Sequence, residues 1–147
     1  MRIVKTLVGI AILMALAAVM VLPAQAESYI DEEYVEICKE VSRAAGVSPY
    51  ILIALIERES SGNPEAVNGA CTGLCQLNKY QFEGDLFDPY TNISQAAIYL
   101  SELGEKYDFD TAVCLMAYHG ESNCNQKKVS KYARGIIERA WDLENIY

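Results

Sequence analysis

The feature that most constrains this chain is a short helix-forming stretch with no polar side. Ser48-Pro49 forms a helix start, with serine as N-cap and proline in the first turn. Tyr50 to Ile56 then carries apolar side chains on every face. A helix that is apolar all round has to be surrounded, so it belongs at the centre of a domain. It runs into Glu57-Arg58-Glu59-Ser60-Ser61-Gly62-Asn63-Pro64, where charge appears and helix breakers end it. Two carboxyl groups therefore stand at the rim of a buried element. A carboxylic acid in that position faces the negative end of the helix dipole and apolar neighbours, which both favour its protonated form. General acid catalysis needs such an acid. Periodicity does not choose between Glu57 and Glu59. Two residues apart, they point to different sides and cannot act as a paired acid and base. The plain alternative for Glu59 is a solvated carboxylate, or one paired with Arg58 or Arg43.

The other long segments also have helical period. From Asp31 to Ala45, Tyr34, Val35, Cys38 and Val41 recur at three- and four-residue steps, and Gly46 supplies a C-terminal stop. Ala66 to Thr72 is expected to be loop, and Gly73 to Lys79 a short helix. Phe87-Asp88-Pro89 is a turn into a third long helix, whose face is Ile93, Ala96, Ala97, Leu100 and Leu103 and whose end Gly104 weakens. A fourth helix is expected over about Asp110 to Tyr118. The last starts near Ser130 and turns Tyr132, Ile136, Ile137, Ala140 and Leu143 inward. No segment alternates like a strand. Five principal helices in one small unit make an all-α, single compact domain.

The first residues are of another kind. Arg2 and Lys5 precede an unbroken apolar run from Leu7 to Leu22, then Pro23 and Ala24-Gln25-Ala26. That order is expected of a secretory signal peptide over residues 1–26, with an uncleaved membrane anchor as the alternative. Either way the domain, residues 27–147, is expected outside the cytoplasm, secreted or in the cell envelope. Beyond Ala26 stand all 20 acidic side chains, and all of the 12 basic ones except Arg2 and Lys5. So acidic a domain lacks the basic footprint that nucleic acid requires, and it suits an anionic membrane surface no better.

Five cysteines follow, Cys38, Cys71, Cys75, Cys114 and Cys124. Disulfides are allowed outside the cytoplasm, and an odd count leaves at least one thiol unpaired within the chain. Cys38 and Cys114 lie in apolar helical stretches and fit as small buried side chains. A zinc site fails on ligands, because His119 is the only histidine and no second close cysteine pair completes a tetrahedral set. No metal or other cofactor is expected.

Four separated segments, in order, resemble the soluble lytic transglycosylase family, which has the lysozyme-like fold and is close to goose-type lysozyme. Ile53 to Val67, reading Ile-Ala-Leu-Ile-Glu-Arg-Glu-Ser-Ser-Gly-Asn-Pro-Glu-Ala-Val, is similar to its signature of a helix ending in Glu-Ser, with Asn-Pro beyond. Gly73-Leu74-Cys75-Gln76-Leu77 is similar to Gly-Leu-Met-Gln-Ile. Asp88-Pro89-Tyr90-Thr91-Asn92-Ile93 resembles the family's structural helix start, and Ala117-Tyr118-His119-Gly120 its Ala-Tyr-Asn-Gly. The resemblance runs from about Val47 to Leu143.

It implies that Glu59 is the catalytic acid and base and that Ser60, Gln76 and Tyr118 contact the substrate or hold the acid. Tyr132 matches a cleft tyrosine on the last helix of some relatives. Asn68 stands where many have a serine that touches the substrate. The implied reaction cleaves the β-1,4 bond between N-acetylmuramic acid and N-acetylglucosamine in peptidoglycan, leaving 1,6-anhydro-muramic acid ends. The alternatives are a hydrolytic lysozyme on the same fold and a non-catalytic glycan-binding or assembly protein. Hydrolysis usually takes two carboxylates, and Glu65, Glu83, Asp85 and Asp88 are the nearby candidates for a second. For Asp88 the plain reading is a helix cap. Small enzymes of this kind also serve secretion, conjugation or phage machinery, which makes such an apparatus a further expected partner. Three departures from the family pattern carry weight. The segment from Glu121 to Val129, which often borders the substrate groove in the family, is shorter and more polar than the family's. Cys75 replaces methionine, and His119 replaces asparagine, where it either contacts sugar, shifts the pH profile or simply fits the loop.

Overall fold

The computed structural model describes residues 28–147; the expected signal segment lies outside them. Five helices make up most of the domain: α1 (Glu32–Ala45), α2 (Pro49–Ser60), α3 (Pro89–Lys106), α4 (Thr111–Tyr118) and α5 (Lys131–Glu144). None among the described residues is long and apolar enough to cross a membrane. The termini follow from local chemistry. Asp31, Asp110 and Ser130 each accept a backbone N–H in the first turn of their helices, and Asp88 accepts from the Thr91 N–H at 2.8 Å, which confirms its reading as a cap. Gly46 closes α1 in the left-handed conformation. Ser48 stands at the N-cap of α2 without making the side-chain bond, and Pro49 alone sets that start.

The apolar α2 is the centre, as its composition requires. Leu52, Ile53, Leu55 and Ile56 have no exposed surface, and each contributes about 1.5–3 kcal/mol by leaving water. It packs against α1 and α5 and touches α3. Helix α3 lies on α1, and α4 bridges α3 and α5. Gly104 does not end α3 early. The helix runs on to Lys106, and the Phe109 ring folds back over Gly104, where a Cβ would lie 2.8 Å from Phe109 Cδ1.

The expected loop at Ala66–Thr72 and the expected short helix at Gly73–Lys79 are both corrected. That segment is a small antiparallel sheet of β1 (Val67–Asn68), β2 (Cys71–Thr72) and β3 (Leu77–Asn78), in the order β1-β2-β3. Val67 pairs with Thr72, and Thr72 in turn with Leu77. Strands of two residues are too short to show an alternating pattern. Helix is blocked between them because Gly73 (φ 78°) and Gln76 (φ 49°) adopt left-handed backbone. Asn92, fully buried in the first turn of α3, ties this sheet to the core. Its Oδ1 accepts the Cys75 N–H at 2.8 Å, and its Nδ2 donates to the Thr72 and Leu86 carbonyls at 3.0 and 2.8 Å.

All five cysteines are free thiols. Cys38, Cys75 and Cys114 are buried, and burial pushes the Cys38 thiol up to about 12. Cys75, in the methionine position, fills its place with no exposed surface.

Two glycines of the sheet separate backbone conformation from packing. Both Gly69 and Gly73 have positive φ. A Cβ at Gly69 meets nothing within 4 Å, whereas one at Gly73 would lie 2.2 Å from the Leu86 carbonyl oxygen and 2.3 Å from Asn92 Nδ2. Gly69→Ala should cost about 1–2 kcal/mol, the left-handed penalty alone. Gly73→Ala should cost clearly more in the same urea titration, because backbone or Asn92 must move. Equal costs would mean that the Gly73–Asn92 contact does not hold the sheet.

Candidate active site

The last turn of α2 carries the two carboxyl groups that the sequence could not separate, and the structure gives them different surroundings. Glu57 is 5% exposed and is bound on several sides. Arg139, on α5, donates from Nε to Oε2 at 2.6 Å and from its NH2 group to Oε1 at 3.0 Å. The Ser28 hydroxyl donates to the same Oε1 at 3.0 Å, and the Tyr29 hydroxyl donates to the Glu57 carbonyl at 3.0 Å. Its hydrogen-bond contacts are with protein groups, which is the arrangement of a structural ion pair. Arg139 was not singled out in the sequence. The available signal was its place on α5, seven residues and two turns after Tyr132.

Glu59 is half-buried and forms no ion pair with Arg58, Arg43 or any other cation among the described residues. Its Oε1 accepts a hydrogen bond from the Tyr132 hydroxyl. Tyr132 is itself buried in the first turn of α5. Burial first, and the Glu59 carboxylate second, hold its phenol far above the ordinary tyrosine value, so it stays a neutral donor. Its ring has two side-chain neighbours. The His119 imidazole stacks on it with centroids 3.9 Å apart and planes 13° from parallel. The Arg58 guanidinium lies 5.8 Å from the ring centroid. His119 thus packs on the tyrosine that holds Glu59. Its Nδ1 is 3.6 Å from Glu121 Oε1.

The other expected residues spread around this pair. The Tyr118 hydroxyl donates to the Cys75 carbonyl at 2.8 Å, not to Glu59. Burial, then Cys75, Tyr132 and Glu59, push its phenol well above the usual range, so all four are electrostatic neighbours. Gln76 sits in the turn between β2 and β3, and its Nε2 donates to the Ala66 and Gly73 carbonyls at 3.1 and 2.9 Å. It braces the sheet beside the end of α2. The Ser60 hydroxyl donates back to the Ile56 carbonyl at 3.2 Å, inside its own helix. Asn68 is exposed on β1 opposite Cys71 and makes no hydrogen bond to the Glu59 group. The structure therefore joins Glu59 directly to Tyr132, ties Tyr118 and Gln76 to backbone carbonyls of the sheet segment, and shows no hydrogen bond from Ser60 or Asn68 to Glu59.

No second carboxylate hydrogen-bonds to this cluster. Asp85 accepts the Phe87 N–H at 3.0 Å, Asp88 caps α3, and Glu65 and Glu83 are exposed. Glu121, which reaches the cluster through His119, was passed over in the sequence. Among the described residues no group of three or more His, Cys, Asp or Glu side chains could hold a metal ion.

Comparison with known proteins bears on this arrangement. The family model for the transglycosylase SLT domain matches residues 36–139. The chain is 31% identical over 91 residues to "Membrane-bound lytic murein transglycosylase C" of Cronobacter sakazakii, across 51% of this chain and 25% of that protein. It is 33% identical over 82 residues to "Transglycosylase" of Enterobacteria phage PRD1, across 52% of this chain and 31% of that protein. The chain thus spans about a quarter to a third of the length of these relatives. Among solved structures, lytic transglycosylase Slt of Pseudomonas aeruginosa superimposes with a TM-score of 0.61 at 16% identity, over 76% of this chain and 24% of that one. This is a likeness of fold.

The contrast between the two carboxyl groups is open to measurement. Glu57→Gln removes the charge that Arg139, Ser28 and Tyr29 surround at a nearly buried position and should cost about 1.5–3 kcal/mol in urea unfolding. Glu59→Gln keeps an acceptor for Tyr132 and should stay within about 1 kcal/mol of the parent. The reverse order of costs would contradict the assignment of Glu57 as the structural member.

Proposed function

Because this chain belongs to the transglycosylase SLT domain family, we propose that it is a peptidoglycan lytic transglycosylase with Glu59 as its single acid and base. The observation that carries this reading is the state of Glu59. It is half-buried, unpaired by any cation among the described residues, and held by one neutral donor at the end of a buried helix. The relatives' names, lytic murein transglycosylase and transglycosylase, support this reaction class.

The reaction then runs as follows. Glu59 gives its proton to the oxygen that links N-acetylmuramic acid to N-acetylglucosamine. The bond from that oxygen to the anomeric carbon of the muramic residue breaks, and the N-acetylglucosamine end leaves with a hydroxyl. The electron-poor anomeric carbon is stabilised by the muramic residue's own N-acetyl group. The C6 hydroxyl of the same sugar attacks that carbon and forms the 1,6-anhydro ring. Its proton passes to the Glu59 carboxylate, which restores the acid. Water is not consumed, and a second carboxylate has no step to perform. Tyr132 holds Glu59 in one orientation throughout and supports its charged form with a hydrogen bond. Tyr118 and Gln76 keep the Cys75–Leu77 segment in place beside it.

Peptidoglycan lies outside the cytoplasm, so this reading places the protein in the envelope or beyond it, consistent with the leader-like residues 1–26. A phage protein among the relatives suits a role in opening the wall for a phage or another large apparatus.

Digestion of purified peptidoglycan followed by mass spectrometry of the released muropeptides tests the reading. The unaltered protein should release anhydro-muropeptides. Glu59→Gln should reduce their yield by about a thousandfold or more, because acid and base are both lost. Tyr132→Phe should retain a measurable fraction. Reducing ends in the products would move the reading to a hydrolase and bring Glu121 forward as the second carboxylate. No products from soluble, folded protein would favour a glycan-binding or assembly role.

A further inference from the structure

The segment between α4 and α5 has a pinned neck. The chain leaves α4 at His119 and enters α5 with Tyr132 in its first turn, and those two rings stack on each other. Beyond this neck, residues 120–123 and 128–131 line an open cavity of about 570 Å³, within the size range of small-ligand sites. Glu121, Ser122, Asn123, Lys128, Ser130 and Lys131 supply its polar lining.

The charge here runs against the rest of the molecule. The full chain has a formal charge of −8. Yet Lys127, Lys128, Lys131 and Arg134 fall within eight consecutive positions, and that stretch contains no acidic residue. All four are exposed, and none forms an ion pair with another described residue. The nearby carboxylate, Glu121, lies against His119. Clustered cations with no ion-pair partner among the described residues, two of them lining a cavity, fit an anionic ligand.

We propose that this cavity is a subsite for the carboxylate-bearing peptide stem carried by the muramic residue. The proposal rests on the reading of the protein as a peptidoglycan transglycosylase. In such a strand the backbone sugars are uncharged and the stem holds free carboxylates, so the stem is the part that Lys128 and Lys131 would select. The stacked neck joins the subsite to Tyr132 and through it to Glu59. A seated stem thereby positions the muramic sugar beside the acid.

Two measurements test this. In the first, backbone amide NMR shifts are followed while a synthetic stem peptide with free carboxylates is added to the protein. Shifts should concentrate at residues 120–131 and should be lost when the peptide carboxylates are amidated. Equal shifts with inorganic phosphate would reveal a general anion patch, and shifts elsewhere or none would remove the subsite; each overturns the proposal. In the second, kcat/KM is compared for glycan strands bearing stems and for strands stripped of them whose freed lactyl carboxylates are capped as amides. The ratio should exceed one and should fall about fivefold in Lys128→Gln/Lys131→Gln, the size expected of exposed charge pairs. Lys106→Gln, at the end of α3, controls for net charge and should leave the ratio in place. An unchanged ratio in the double variant, or an equal loss on both strands, counts against the subsite while the transglycosylase reading stands. Specific stem binding by a protein that cuts neither strand would retain the subsite and remove the transglycosylase reading.

Discussion

Helix α5 grips the end of α2 at two points, and the site depends on that grip. Glu57 meets Arg139, and Glu59 meets Tyr132. The two partners stand seven residues apart, two turns along one helix, and so share a face. The apolar body of α2 makes the grip necessary, because a helix buried on all sides brings its polar end into contact with whatever surrounds it. One carboxylate is neutralised there and fixes the crossing of the two helices. The other receives only a neutral hydrogen bond. The difference lies in the partner, since the two share the same helix and the same turn.

This division explains how one acidic side chain can serve without a carboxylate partner. A salt bridge would hold Glu59 in its charged form and remove it as a proton donor. The Tyr132 phenol gives orientation through a neutral donor, with no fixed positive charge beside the carboxyl. The Tyr132 ring is held in turn by the stacked His119 imidazole, with the Arg58 guanidinium 5.8 Å from its centroid. The small sheet, locked to α3 by Asn92, carries Cys75 and Gln76 to the same end of α2. Four parts of the chain distant in sequence contribute to the site: the end of α2, the Cys75–Gln76 turn, His119 and Tyr132.

Much of this was legible in the sequence, and the limits have physical causes. The helices declared themselves through period and caps, because burial on one face repeats every three or four residues. The sheet did not, since its strands have two residues each and its turns depend on the left-handed backbone at Gly73 and Gln76. Glu59 and Tyr132 were named from the family resemblance, and the helical pattern alone left Glu57 equally eligible. What separated them was Arg139, a long-range partner 82 positions away. Ser60 was expected to contact the substrate or hold the acid, and its hydroxyl donates to the Ile56 carbonyl of its own helix. That competition between local backbone and distant ligand is open to any serine in a last helical turn.

The central claim is that the muramic sugar's own hydroxyl, and not water, closes on the anomeric carbon after Glu59 has acted. Digestion in water enriched in heavy oxygen tests it most directly. The account predicts that newly formed muramic ends released by the protein carry no label, because the oxygen that closes the ring is already in the sugar. Label at those ends, lost again in Glu59→Gln, would contradict it and make the protein a hydrolase.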